Sequence, residues 1–351
     1  MGVHKKTRLS SGRCNVFGHL DGRFSLIEVM FVWISMSNIL TVKTFAQGAQ
    51  PLSTGFYETS CPSVKSIVAD AVAARLRQDA SAAAPLVRVF FHDCFVDGCD
   101  GSVLIKSTPG NTAERDSPPN QTIRELGLID VIKNQLEAAC PGVVSCADIV
   151  ALAAKEAIRQ NGGPDWEVEM GRRDGLRSTA TEASSNLPST FSNAASLIQT
   201  FSSKGLSVRD LVTLSGAHSI GNAHCTFAAR RVYNFNGPNG IDPTLNSSYA
   251  LKLRKMCPQP LLEHSRVPLD PLTPMVFDNK YYEDLLEMNG LFISDAALLT
   301  DAGTLAIVTE YARDQSAFFG NFVNSMLKMG RIGVLTGQQG EIRRHCSAFN
   351  S

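Results

Sequence analysis

The chain has 351 residues, of which 44% are hydrophobic and 19% charged, so it is long enough and apolar enough to bury a large core. Its formal net charge is zero, but residues 1–49 hold six of the 33 Lys and Arg and only two of the 33 Asp and Glu. Residues 50–351 therefore carry a net charge of −4, a balance that gives no support to nucleic-acid binding.

Residues 1–49 have the pattern of a targeting segment. Five basic residues precede an apolar run from Phe24 to Val42, and small residues follow up to Ala49, as a signal peptidase requires. We therefore expect a signal peptide over residues 1–49 and an exported protein over residues 50–351. A retained membrane anchor is the alternative, since 19 mostly apolar residues nearly span a bilayer.

The cysteine count agrees with export. Nine cysteines are present, and Cys14 lies in the expected signal peptide, which leaves eight in the remaining chain. An even number of cysteines in an exported protein favours four disulfides over free thiols. Zinc binding is the competing interpretation, but no close pair of cysteines is matched by a second pair at ligand spacing. Eight cysteines allow 105 pairings, and the count alone does not choose among them.

Hydrophobic periodicity predicts a mainly helical protein with few, short strands. Residues 63–79 place their apolar side chains on one side at helical spacing. Ser207, with Asp210 three residues later, has the pattern of an N-cap that opens a helix toward Leu214. The other predicted helices cover residues 85–94, 129–139, 145–160, 223–233, 249–256, 279–287, 304–313 and 316–329. The chain shows no internal repeat and no low-complexity linker, so these helices predict one compact all-α domain.

The second predicted helix carries an arginine and a histidine on one face. Arg88 and His92 lie four residues apart, which is one helical turn. A buried, unpaired arginine is costly, so a cavity for a polar ligand explains this pair better than an ordinary core histidine does. Cys94 and Cys99 follow closely, and a bridge between them would clamp the next loop. That loop, residues 93–102, supplies oxygen donors beside two glycines, which suits calcium; a solvated acidic turn is the alternative.

A second histidine and a second group of oxygen donors occur later in the chain. His218 ends an apolar helix, and its small neighbours in residues 214–221 leave space for a flat, bulky group, as a haem ligand requires. His224 suggests a zinc pair, but no third ligand is close in sequence. Residues 270–278 repeat the oxygen-donor spacing of the first loop with less specificity.

Taken together, these segments resemble the secreted plant haem peroxidases (class III) from about Leu52 to Ser347. The resemblance rests on eight cysteines in register and on five stretches in the right order: residues 88–96, 144–148, 171–174, 214–221 and 277–282. It implies a haem-peroxidase fold in which a distal and a proximal helical half enclose one haem b, with two calcium ions and four disulfides. The implied disulfides are Cys61–Cys140, Cys94–Cys99, Cys146–Cys346 and Cys225–Cys257.

The resemblance also implies roles for the residues around the haem. His218 would be the axial ligand of the iron, with Asp295 accepting its other ring proton. His92 would carry the peroxide proton between the two oxygens. Arg88 would stabilise the negative charge that develops as the O–O bond breaks. Phe91 would contact the haem.

Further roles follow from the same resemblance. Asn120 would hold His92 in its basic tautomer, Glu114 would support Asn120, and Pro188 would mark the aromatic-donor site near the exposed haem edge. The implied ligands of the distal calcium are Asp93, Val96, Gly98, Asp100 and Ser102. The implied ligands of the proximal calcium are Ser219, Asp270, Thr273, Val276 and Asp278.

The chain departs from the family pattern in two places. Phe90 stands where many members have histidine, although it lies outside the proton-transfer set. Residues 124–130 replace the usual Arg-Gly-Phe start of a helix, which affects the loop that carries Asn120. Asn120-Gln121-Thr122 also matches a glycosylation sequon, but an asparagine that supports His92 must be buried, so we expect the glycan on Asn246 instead.

The resemblance implies a secreted, monomeric haem peroxidase of the apoplast or cell wall. Hydrogen peroxide would be reduced to water while small phenolic donors are oxidised in successive one-electron steps, without nucleic-acid or membrane partners. The alternative is a cell-wall calcium- or polysaccharide-binding glycoprotein with vestigial haem chemistry. The presence of His92, Arg88, Asn120, His218 and Asp295 argues against that alternative. A peroxide-generating oxidase activity on the same haem is compatible with every residue and would be additional.

Overall fold

The computed structural model describes residues 51–237, 239–262 and 264–350, and the expected signal peptide lies outside the described residues. This part of the chain is mainly helical, as predicted. Its α-helices are α1 Val64–Gln78, α2 Ala83–Phe95, α3 Leu126–Ala139, α4 Cys146–Gln160, α5 Ala180–Asn186, α6 Ala194–Ser203, α7 Val208–Ser215, α8 Cys225–Val232, α9 Ser247–Met256, α10 Lys280–Leu286, α11 Ile293–Ala297, α12 Ala302–Arg313 and α13 Gln315–Met329. Two short strands, β1 Asn222–His224 and β2 Arg266–Pro268, pair in an antiparallel manner. None of the helices in these ranges is long and apolar enough to cross a membrane.

Local side-chain hydrogen bonds define several helix starts. The Ser145 hydroxyl accepts a hydrogen bond from the backbone N–H of Asp148 at the start of α4. Ser207 and Asp210 form a complete capping box at the start of α7, as the sequence predicted. Such caps satisfy backbone N–H groups that have no partner inside the helix. They fix where α4 and α7 begin, and α7 leads directly to His218.

Helix packing brings the two sequence-distant parts of the site together. Helices α1 and α2 pack against α4, and α7 packs against α6, α12 and α13. The short 3₁₀ turn Gly216–Ser219 continues from α7, carries His218 and contacts α2. One large hydrophobic core runs through these helices, and a smaller one lies around α8, α9 and the strands. The face of α2 that carries Arg88 and His92 is therefore held near the turn that carries His218.

The four disulfides implied by the resemblance are all confirmed. They join Cys61 to Cys140, Cys94 to Cys99, Cys146 to Cys346, and Cys225 to Cys257. The third closes the longest loop, 200 residues, and links the start of α4 to the C-terminal segment. Bridges over long loops typically contribute about 2–4 kcal/mol to stability.

Some local predictions were wrong or incomplete. The helix predicted over residues 223–233 begins only at Cys225, because the preceding residues form β1. The partner strand is more than 40 positions away in sequence, so local periodicity does not reveal it. Three helices were missed: α5 and α11 have only seven and five residues, and α6 is rich in alanine and serine. Helices α5 and α11 are too short for a periodic signal, whereas α6 places Leu197 and Phe201 one turn apart and was overlooked.

Candidate active site

A cavity of about 680 Å³ is lined by residues of α2 and of the turn Gly216–Ser219. His92 and His218 both line it, together with Arg88, Phe91 and Pro188. Its volume lies in the range of sites that enclose small molecules. The structure therefore brings together most of the predicted haem-side residues. Asn120 and Glu114 are not in its lining, and they lie behind His92.

His92 is buried and held in one tautomer by Asn120. Its Nδ1 lies 2.5 Å from Oδ1 of Asn120, whose Nδ2 donates to the backbone carbonyl oxygen of Glu114 at 2.8 Å. That second hydrogen bond orients the amide so that its oxygen faces the imidazole. A carboxamide oxygen only accepts, so Nδ1 carries the ring proton and Nε2 is left as the free base. This is the geometry that the predicted role of Asn120 requires.

Arg88 donates a hydrogen bond to the unprotonated nitrogen of His92. Its Nε is 3.1 Å from His92 Nε2, while its two terminal nitrogens donate to the Pro119 carbonyl oxygen at 2.8 Å and to the Thr122 hydroxyl at 2.9 Å. Burial lowers the pKa of His92 to about 3, and the positive charge of Arg88 acts in the same direction. Burial also lowers the pKa of Arg88, to about 10. At neutral pH the pair is therefore a neutral base next to a cation.

Glu114 contacts Asn120, as the resemblance implied, but through its backbone and not through its side chain. The contact is made by its backbone carbonyl, whereas both carboxylate oxygens are buried without a hydrogen-bond partner. Burial and the neighbouring charge of Asp93 raise the pKa of Glu114 to about 9. Burial thus favours the neutral form of this carboxyl group, which makes no hydrogen bond to the amide of Asn120.

On the other side of the cavity, His218 is paired with a buried carboxylate. Its Nδ1 lies 2.8 Å from Oδ1 of Asp295, which also accepts a hydrogen bond from the Tyr281 hydroxyl at 2.9 Å. The backbone N–H of Phe292 donates to the second oxygen at 2.8 Å. Burial alone would raise the pKa of Asp295, but His218 and these donors lower it overall. Asp295 is therefore ionised and makes His218 a stronger electron donor through Nε2.

Two neighbours of these residues were not identified from the sequence. Tyr281 belongs to the stretch 277–282 on which the resemblance rests, but no role was given to it. Thr122 contacts Arg88 from a segment whose course the sequence left open. Both contacts depend on tertiary packing between residues 14 or more positions apart, so spacing alone does not indicate them.

The cavity suits a haem in shape and chemistry. The imidazoles of His92 and His218 line it, and most of the remaining lining is apolar, including Phe91, Phe201 and Leu214. A flat macrocycle with one axial nitrogen ligand requires this combination. Ser81, Arg124 and Arg266 supply polar and cationic groups to the lining, which suits the two carboxylates that haem carries.

The predicted distal calcium loop is buried and contains an unpartnered oxygen. The Asp93 carboxylate accepts a hydrogen bond from the backbone N–H of Gly101 at 2.9 Å, and that of Asp100 accepts one from Ser102 at 3.0 Å. The hydroxyl of Ser102 is fully buried and has no partner. Burial raises the pKa of Asp93 and of Asp100, as expected for carboxylates that a cation would stabilise.

The residues predicted for the proximal calcium converge through their hydroxyl groups. Ser219 donates to the Val276 carbonyl oxygen at 3.1 Å and to Asp278 at 3.3 Å. Thr273 donates to Asp278 at 2.9 Å and to Asp270 at 3.3 Å. Across the described ranges, no group of three or more His, Cys, Asp or Glu is arranged to hold a metal. Each predicted calcium set contains only two carboxylates, and its other donors are hydroxyl and carbonyl oxygens.

The departure at residues 124–130 is accommodated by a salt bridge. Glu125 adopts a left-handed backbone with φ of 69°, which costs a non-glycine residue about 1 kcal/mol or more. Its carboxylate is bound by Arg75 through two hydrogen bonds of 2.8 and 2.9 Å. The loop between Asn120 and α3 is thus held by a charged contact at a position where the family pattern has glycine.

Comparison with known proteins agrees with this geometry. The family model described as peroxidase matches residues 68–314. The chain is 48% identical to Peroxidase 5 of Vitis vinifera over 321 residues, which cover 91% of this chain and 96% of that protein. It is 49% identical to Peroxidase 3 of Arabidopsis thaliana over 302 residues, 86% of this chain and 92% of the relative. Peroxidase 15 of Ipomoea batatas is 46% identical over 304 residues, 85% and 93% of the two chains.

The burial of Asn120 generates a prediction about glycosylation. Asn120 is 2% exposed and its Nδ2 is buried against the Glu114 carbonyl oxygen, so a sugar on that nitrogen would have no room. Asn246 is partly exposed at the N-cap of α9. Glycopeptide mapping of protein secreted by a plant or yeast host should find sugar on Asn246 and none on Asn120. Sugar on Asn120 in folded protein would contradict its predicted role.

Proposed function

Because this chain belongs to the plant class III peroxidase family, its activity is the peroxide-dependent oxidation of donor substrates, and we propose that Arg88, His92 and His218 carry it. The observation that supports this assignment best is the pairing of two different imidazoles across one cavity. His92 is a buried neutral base beside a cation, and His218 is backed by an ionised carboxylate.

In this proposal the cavity holds one haem b. His218 would hold the iron through Nε2, and Phe91 would lie against the macrocycle, with Arg124 and Arg266 near its carboxylates. The redox chemistry, in which two electrons pass to the peroxide and are recovered singly from two donors, is supplied by the haem when it is bound. The paired carboxylate of Asp295 keeps His218 oriented and electron-rich.

The residues on the distal side of the cavity would transfer the peroxide proton and stabilise the developing negative charge. His92 Nε2 accepts the proton from the first peroxide oxygen and returns it to the second, which leaves as water. The low pKa of His92 keeps it free to accept at neutral pH, and Asn120 keeps the accepting nitrogen on the cavity side. Arg88 stabilises the negative charge that builds up on the departing oxygen. Overall, one hydrogen peroxide and two phenols give two waters and two phenoxyl radicals.

The donor site and the location of the protein are part of the same proposal. Small phenolic donors would be oxidised at the edge of the cavity near Pro188, where loose contact is sufficient for electron transfer and selectivity is broad. Two calcium ions would occupy the loops around Asp93 and Asp270. The expected signal peptide and four disulfides support secretion to the apoplast or cell wall.

Replacing His92 tests the proton-transfer role. We expect His92→Gln to slow the reaction with hydrogen peroxide by about 10²–10⁴-fold, because the general base is lost. Haem binding, seen as the Soret absorption band, should remain, since His218 is unchanged. The matched control is His264→Gln, an exposed histidine outside the cavity lining, which should react at the wild-type rate. A fully active His92→Gln enzyme would refute the role, and wild-type protein without a Soret band would refute haem binding.

The pH dependence tests the contact between Asn120 and His92. His92 must be neutral to accept a proton, so the peroxide reaction should be constant from pH 5 to 8 and fall as the pH approaches the His92 pKa of about 3. Asn120→Asp keeps an acceptor oxygen but adds a negative charge, which raises the His92 pKa and moves the fall to higher pH. Asn120→Val removes the acceptor and should slow the reaction about 10–100-fold at pH 7.

Stopped-flow rates across the pH range measure both effects. An acid limb that stays in place in Asn120→Asp would show that Asn120 does not control the protonation of His92.

Calcium removal tests the coupling between the distal loop and the base. Asp93 immediately follows His92 in α2, so loss of a bound ion should loosen the base before the helices unfold. We expect EGTA treatment to release two calcium ions per chain and to slow the peroxide reaction while far-ultraviolet circular dichroism is unchanged. Added calcium should restore the rate, and added magnesium should not. An unchanged rate after measured calcium loss would contradict the coupling.

A further inference from the structure

A series of aromatic side chains leads from His218 to the surface of the cavity. The ring of His218 lies 5.3 Å from that of Phe292, which lies 5.5 Å from Phe227. The ring of Phe227 is 6.3 Å from that of Phe191, and Phe191 is 38% exposed. Phe191, Phe227 and Pro188 all line the cavity, so this side of its mouth offers an apolar surface to a planar donor.

An arginine lies on the outermost ring of this series. The guanidinium carbon of Arg230 is 4.2 Å from the centroid of Phe191, within the range of a cation–π contact. Arg230 is exposed, and within the described ranges it forms no salt bridge. Its neighbour Arg231 is buried and paired with Asp242 at 2.9 Å. Arg230 therefore keeps its positive charge available to a ligand at the cavity mouth.

Most of the charged side chains that line the cavity are cationic. Its lining contains three arginines, Arg88, Arg124 and Arg266, and one carboxylate, Asp295, which is bound to His218. Arg88 contacts His92 on the distal side, and in the proposed function Arg124 and Arg266 would pair with the haem carboxylates, so none of these three arginines is free to bind a donor. Asp295 is held by His218, by the Tyr281 hydroxyl and by the backbone N–H of Phe292, and the lining contains no other acidic side chain. An exposed arginine on an aromatic ring then adds attraction at the place where a donor would approach.

We propose that Arg230, held on Phe191, makes this enzyme select phenolic donors that carry a carboxylate, of the hydroxycinnamate class, over neutral phenols. The donor ring would contact the surface formed by Pro188, Phe191 and Phe227 while its carboxylate pairs with Arg230. The phenol still loses one electron and one proton, and the carboxylate is unchanged, so Arg230 determines specificity without entering the reaction. The inference rests on the proposed function, because it assumes that donors are oxidised at this edge.

The test compares two donors that share one phenol ring and differ in the charge at the end of the side chain; because their intrinsic reactivities differ, only the change of their ratio between enzyme variants is interpreted. Ferulate and coniferyl alcohol share the same substituted phenol ring, and one ends in a carboxylate and the other in an alcohol. We would measure kcat/KM for each donor at saturating peroxide in the haem-loaded enzyme and take their ratio. Arg230→Gln should lower the ratio of ferulate to coniferyl alcohol about two- to fivefold, as expected for a single exposed ion pair. Arg230→Lys should lower it less, because charge remains but the planar stacking is lost.

Salt and a matched arginine provide the controls. The preference of the wild-type enzyme for ferulate should shrink between 10 and 200 mM salt, and the ratio in Arg230→Gln should not change. Arg209→Gln removes another exposed arginine next to an aromatic ring, at 6.0 Å from Tyr311 and outside the cavity lining, and should leave the ratio unaltered.

The outcomes separate this inference from the proposed function. An Arg230→Gln enzyme that loses activity equally toward both donors would show that Arg230 only supports Phe191, and would overturn the inference. A ratio that stays at the wild-type value, or that changes as much in Arg209→Gln, would do the same. If the wild-type enzyme oxidised neither donor, the proposed function itself would fail.

Discussion

The hydrogen bond between His92 and Asn120 is the constraint on which the rest of the distal side depends. It decides which nitrogen of the imidazole is free, and it joins helix α2 to a loop 28 residues away. That loop must be fixed for the bond to have one geometry. The backbone carbonyl of Glu114 orients the amide, and the Arg75–Glu125 pair holds the left-handed turn that follows. The position of the base is thus set by contacts outside the cavity.

Burial favours the neutral form of the buried group on both sides of the cavity, but the final charge state differs between the two sides. On the distal side it favours the neutral form of His92, and the charge of Arg88 reinforces this preference. On the proximal side burial would also favour a neutral Asp295, but three hydrogen-bond donors keep it ionised. The distal side therefore presents the cation Arg88 and the neutral base His92. The proximal side presents the imidazole of His218, which is hydrogen-bonded to the ionised Asp295. A ligand between them experiences a polarised environment that water would not provide.

Sequence reasoning succeeded where the signal was local or belonged to a family pattern. The one-turn spacing of Arg88 and His92, the capping box at Ser207 and most helices follow from short-range periodicity, whereas the disulfide pairs came from the resemblance alone. It failed where a partner is distant in sequence, as for β1. The prediction of a residue's role was also incomplete where the backbone and the side chain of that residue make different contacts. Glu114 illustrates this, because its carbonyl supports Asn120 while its carboxylate does not, and a sequence letter does not distinguish the two groups.

Two adjacent residues of α8, Arg230 and Arg231, connect the edge of the cavity to the protein interior. Arg231 points into the protein and binds Asp242 and the backbone carbonyls of residues 290–292, just before the segment that carries Asp295. Successive helical residues point about 100° apart, so fixing Arg231 also fixes the direction of Arg230. Arg230 is then held over Phe191 without needing a partner of its own. A guanidinium that is already fixed in position loses less side-chain freedom on binding, so a single exposed arginine is sufficient for the donor preference that we propose.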